Sequence, residues 1–327
     1  ANGLVSTLQH DEFGREARST RPDGTGVVTV RTMCGSDCAW PEARLVVNQS
    51  ARGAGDLQLA FVETGYDQYG REVHVRTDQP GGAQVLSARR FDARGLVTQQ
   101  SAPSACCASP AYWTTVAYDV IGRPVRQEQP ASPGRPAPAV TSWRHDGLTV
   151  TETDPLGRST VRKHTVFGEV AQVVDPALAD TTYAYDAFGN LVRVRDALGS
   201  ETRAAFDVLG RRTTVLDSSA GLWLYAYYPL GELKSQVNGR GQGTTLTYDK
   251  LSRVLMRVEP EGVTTWTWGS APADRNVGSL VSVQGPNISE RFTYDTLGRP
   301  ATATRLVQGA SLALAYTYDP VTGLRDT

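Results

Sequence analysis

The stretch Thr181-Thr182-Tyr183-Ala184-Tyr185-Asp186-Ala187-Phe188-Gly189-Asn190 decides the reading of this chain. Its first half alternates, so Tyr183 and Tyr185 fall on one face of a strand. Asp186 then opens a turn whose backbone N–H groups its carboxylate can accept. Gly189 closes that turn with the positive φ that other residues resist. The result is a compact hairpin connection.

Working outward, the same signal returns every 21 residues. Gly147, Gly168, Gly189, Gly210 and Gly231 share one column, with Ser252 in the next slot. Four residues before each stands Trp143, His164, Tyr185, Phe206, Tyr227 or Tyr248. Seven residues after each stands Asp154, Asp175, Asp196, Asp217, Asn238 or Glu259. The last column marks an opposite turn, as in Asp196-Ala197-Leu198-Gly199, so each repeat holds two short strands and two turns. Stacked repeats then bring equivalent aromatic side chains beside one another.

Looser copies flank this block. Tyr66-Asp67-Gln68-Tyr69-Gly70-Arg71, Phe91-Asp92 with Gly95, Tyr118-Asp119 with Gly122-Arg123, and Tyr294-Asp295 with Gly298-Arg299 fit the pattern. His10-Asp11 opens the series, and Tyr318-Asp319-Pro320-Val321-Thr322-Gly323 closes it with one extra residue. The predicted structural turn residues are therefore Asp67, Gly70, Asp119, Gly122, Asp186, Gly189, Asp207, Gly210, Asp295 and Gly298. The predicted organisation is irregular repeats over 1–145, regular repeats over 146–268, an inserted loop over 269–290 and final repeats over 291–327. The loop is read from its Gly, Ser, Ala, Pro and Asn content and from the 46-residue step between Ser252 and Gly298.

Composition agrees with an all-β chain. There are 32 Gly and 18 Pro to supply turns, and few exposed Lys/Glu pairs of the helical kind in 327 residues. That length predicts about two domains. A formal charge of −1 is not the signature of an electropositive nucleic-acid binder. Mean hydropathy is −0.32, and no apolar run approaches the roughly 18 residues of a membrane span. Ala1–Thr7 lack the charged and apolar regions of a signal peptide. The start without Met predicts a processed chain or a fragment.

Units of Tyr-Asp-x-x-Gly-Arg, followed by turns such as Asp154-Pro155-Leu156-Gly157, resemble the YD repeats of the Rhs family. That family includes bacterial polymorphic toxins, the B and C components of insecticidal toxin complexes, and the shells of teneurins. The resemblance runs from about His10 to Gly323. It implies a curved, spiralling sheet that forms a hollow shell around a toxic C-terminal domain. A complete Rhs core typically closes with a Gly- and Asn-rich self-cleavage segment, which this chain does not show after Gly323. The expectation is a non-enzymatic shell segment of a secreted or delivered bacterial protein, truncated before any toxin domain. Its partners would be that toxin domain or further shell repeats.

Other chemistry is weaker. Paired carboxylates suit a glycosidase, but these aspartates recur at a structural period, whereas a catalytic pair needs one unique environment. His10, His74, His145 and His164 show no metal spacing, and no Gly-x-Ser-x-Gly elbow exists. Gly239-Arg240-Gly241-Gln242-Gly243 lacks the following helix of a phosphate loop. No cofactor is expected. Cys34, Cys38, Cys106 and Cys107 are candidate disulfide partners, and unpaired buried thiols or a zinc site are the other readings their spacing leaves open. Trp266 and Trp268 alternate on one face, as do Tyr316 and Tyr318. These fit either stacking ladders or a platform for a cell-surface glycan, which makes a carbohydrate-binding adhesion protein the alternative function.

Overall fold

The structure is a computed structural model, and it describes residues 3–34, 42–79, 82–105, 112–132 and 134–326. Among these are 28 β-strands and two single-turn 3-10 helices, Ala54–Asp56 and Pro272–Asp274. The chain forms two compact units. One holds Leu4–Arg144, Glu152–Arg158 and Tyr318–Thr327; the other holds Ala1–Gly3, His145–Thr151 and Ser159–Thr317. The final turn thus belongs with the first repeats.

Strands mostly follow one another as an antiparallel meander, except that Val97–Ser101 pairs with Trp113–Tyr118 while Ser104–Ala105 pairs back onto Gln84–Phe91. In the repeat unit, Ser159–His164, Val170–Val174, Asp180–Tyr185, Leu191–Arg195, Glu201–Phe206 and Arg212–Asp217 pair in that order. The register breaks at the same place in each YD hairpin. Ala184 faces Arg193 but Tyr185 faces Leu191, so one residue of the return strand is left over as a β-bulge. Equivalent breaks precede His164, Phe206, Tyr227, Tyr248, Trp268 and Tyr294. The aromatic residue is therefore the last rung before the turn in each repeat.

Trp268 was not in the 21-residue column, yet it occupies this rung. It follows Tyr248 by 20 residues rather than 21, because the intervening hairpin turns tightly, with Glu259 facing Gly262. The loop spans only 269–279, where Gly269 donates to the Ser279 carbonyl at 2.8 Å and Gly278 to the Gly269 carbonyl at 2.9 Å. Beyond it, Leu280–Gln284 and Ile288–Tyr294 are paired strands rather than the continuation of a loop. The alternation in Leu280-Val281-Ser282-Val283 is hidden by its turn-rich flanks.

Complete burial is rare. Gly221–Tyr227 alternates half-buried and exposed residues, with Leu222 and Leu224 on the open face. Its other face carries Trp223 stacked near Tyr225, with ring centroids 6.4 Å apart. The other unit has a small core of Ala43, Val46 and Val73, against which Cys34 and Phe91 pack. With so little core, cross-strand pairs and turn chemistry must carry much of the stability.

Candidate functional site

The recurring structure is the five-residue turn between paired strands. Asp207 shows its chemistry. One carboxylate oxygen accepts the backbone N–H groups of Leu209 and Arg211, both at 2.9 Å. The other accepts the Arg211 guanidinium at 2.7 Å. The Gly210 amide donates to the Asp207 carbonyl at 3.0 Å with φ at +73°. Asp67 with Gly70, Asp119 with Gly122, and Asp295 with Gly298 repeat the arrangement, using Arg71, Arg123 and Arg299. In the turn of Asp186 and Gly189, Asn190 replaces the arginine and donates its side-chain amide at 2.9 Å.

These bonds hold the carboxylates below their ordinary range. For Asp119 and Asp207 the largest cause is the backbone N–H of Arg123 or Arg211; for Asp186 it is the Asn190 side chain. For Asp67 and Asp295 burial is the largest influence and pushes upward, but the bonds from Arg71 and Arg299 together outweigh it. Each carboxylate is thus occupied in closing its own turn.

The arginine does more than pair with its aspartate. Arg211 donates to the carbonyl of Tyr228 in the next YD turn at 3.0 Å, and its guanidinium lies 4.9 Å from the Tyr227 ring centroid. Arg71 does the same with the Asp92 carbonyl and the Phe91 ring. Arg253 lies 5.0 Å from the centroid of Trp268. The aromatic residue answers by bonding backward. Tyr227 donates its hydroxyl to the Arg212 carbonyl at 2.8 Å, Tyr248 to Leu233 at 3.0 Å, and Tyr185 to Val170 at 3.0 Å. Aspartate, arginine and aromatic ring thereby staple one repeat to the next. The arginine column was visible in the Gly-Arg pairs, but its reach across repeats was not.

The remaining candidates fall into place around this staple. His164 holds an aromatic rung, with Nδ1 3.3 Å from the Leu148 carbonyl oxygen. Gly239-Arg240-Gly241 is another turn of the series, with Asn238 accepting the backbone N–H groups of Arg240 and Gln242 at 3.0 Å. Trp268 donates its indole N–H to Val254, and Trp266 lies under Arg257. Cys34 is disulfide-bonded. Cys38, Cys106 and Cys107 lie outside the described residues. Among the described residues no group of three His, Cys, Asp or Glu could hold a metal ion, and no helix is long and apolar enough to cross a membrane.

Fold and turn together define an all-β repeat protein assembled from stapled hairpins. Within it, residues 181–221 match the family model described as RHS Repeat. Two solved structures are similar to it, TcdB2-TccC3-TEV and TcdB2-TccC3 without its hypervariable C-terminal region. Sequence identity is 11% and 10%, and the TM-score is 0.65 for both. The match covers 99% of this chain and 27% of each of those chains. No curated protein sequence matches the chain.

Proposed function

We propose that this chain is a shell segment of an Rhs-like bacterial toxin, secreted or delivered outside its producer, which encloses or delivers a C-terminal toxic domain. The observation that carries the reading is that nearly the whole chain follows the fold of the TcdB2-TccC3 chains. The repeated staple supports it further. A wall extends by recurring joints, and the Asp–Arg–aromatic unit supplies such a joint at the turns of Asp67, Asp207 and Asp249. The role is containment, and the turn residues act structurally rather than on a substrate. Further shell repeats and the toxic domain are its partners. The glycan-binding alternative is weakened because Trp268 is engaged with Val254 and Arg253.

The test is electron cryomicroscopy of the natural gene product from its producer, combined with protease digestion. A hollow particle whose enclosed segment resists protease until the wall is opened by denaturant is the expected result. A particle without a cavity, or one whose C-terminal segment is digested at once, overturns the proposal.

A further inference from the structure

In the repeat unit, the second residue after the aspartate slot is large and apolar in five consecutive YD turns. Phe167, Phe188, Leu209, Leu230 and Leu251 are 87%, 89%, 68%, 88% and 72% exposed. Turn closure does not require these side chains. Phe188, Leu209 and Leu251 contribute through their backbone N–H groups, which donate to the turn aspartate at 2.8–2.9 Å. A polar residue would close the turn equally well. We propose that this row is a self-association surface, occupied by the same row of a second copy of this chain.

Three observations lead to that occupant. The first is pitch. Two strands separate successive tips on one rim, so the tips recur about every 9.6 Å, a spacing set by backbone hydrogen bonding. Another copy has the same pitch, and an evenly spaced row reads alike in both directions. A twofold axis can therefore superpose two rows in opposite sense and close the assembly as a dimer. The second is area. Five such side chains present on the order of 700 Å² per copy, near the roughly 800 Å² per partner of a stable interface. Exposed apolar patches of this size mark interaction sites. The third is a precedent within the other unit. Val321, at the equivalent position after Asp319, is not left in solvent. It packs on the turn between Leu45–Arg52 and Gln58–Tyr66, where its carbonyl accepts the Ala54 N–H at 2.7 Å. A methyl at Gly53 would fall 2.4 Å from that carbonyl oxygen. One turn tip of this chain is thus already covered by a second hairpin turn, the 3-10 turn of Ala54–Asp56.

The proposal goes beyond the shell reading and can fail while that reading stands. Sedimentation velocity of the full chain from about 1 to about 100 μM should show a monomer–dimer equilibrium that added salt does not dissociate. The variant carrying Phe167→Ser, Phe188→Ser, Leu209→Ser, Leu230→Ser and Leu251→Ser should stay monomeric throughout, with unchanged circular dichroism. Leu198→Ser, on the opposite rim and 96% exposed in the parent, should dimerise as the parent does. A parent that is monomeric at every concentration overturns the proposal. So does a five-site variant that still associates, which would assign association to strand edges. Loss of dimerisation in Leu198→Ser would mean that the two rims join head to tail, and also overturns it. Should the five-site variant not fold, single Phe188→Ser and Leu209→Ser variants must each weaken association at least tenfold.

Discussion

Trp268 donates its indole N–H to the carbonyl oxygen of Val254 at 2.9 Å, with Arg253 stacked against its ring. Tyr227 and Tyr248 make the same backward bond through their hydroxyls. The aromatic column is thus a column of donors as well as of rings. Removing one donor while keeping the ring should cost about 1 kcal/mol. Tyr227→Phe and Tyr248→Phe should each lower unfolding stability by that amount in urea titrations. A glycan platform would behave differently, losing ligand binding while stability stayed level.

The turn glycines supply a second expectation. Gly189 and Gly210 stand at φ +82° and +73°, where a β-branched side chain clashes with its own backbone. Gly189→Val and Gly210→Val should each destabilise by about 2 kcal/mol or more. Leu178 reverses the case. It holds φ +64° without being glycine, and its side chain is 83% exposed. Leu178→Gly should stabilise by about 1 kcal/mol, read as a higher urea midpoint with an unchanged slope.

Acid should act through the turn carboxylates. Folding holds Asp67, Asp119, Asp207 and Asp295 below the ordinary value near 3.8. Their contribution is therefore complete above that value and is lost as pH falls through it toward the folded values. The melting temperature should drop below about pH 4. Asp67→Asn should cost roughly 1 kcal/mol at pH 7 by removing the bond to Arg71, and should narrow its deficit against the parent in acid. A deficit independent of pH would show that this carboxylate's charge does not matter.

His74 sets an earlier acid limb. It is 3% exposed, opposite Gly65, and a methyl on Gly65 would fall 2.0 Å from its Cε1. Burial lowers its pKa from 6.5, although Glu63, itself paired with Arg76 at 2.7 Å, pulls upward. A depressed histidine favours the folded state above its unfolded value and costs stability as pH falls below about 6.5. The parent should lose stability as pH falls below about 6.5, and His74→Gln should flatten that limb. Gly65→Ala should destabilise at every pH.

Repeats, strands and turns were legible in the sequence because each depends on neighbours in the chain. Asp-x-x-Gly closes over four residues, and alternation such as Tyr183-Ala184-Tyr185 declares a strand face without reference to anything distant. Three matters required the tertiary structure. Trp268 joins the aromatic column only through the register of Val254–Glu259 against Gly262–Trp268, whose tighter turn shortens the period by one residue. The arginine staple joins Arg211 to the Tyr227 ring and the Tyr228 carbonyl, groups that become neighbours only when consecutive hairpins pair. The seating of Val321 on Gly53 and Ala54 joins residues more than 250 apart, at a distance no local pattern can encode. Local backbone chemistry determined the repeat; the contacts between repeats were decided by the folded sheet, which alone brings sequence-distant groups within bonding reach.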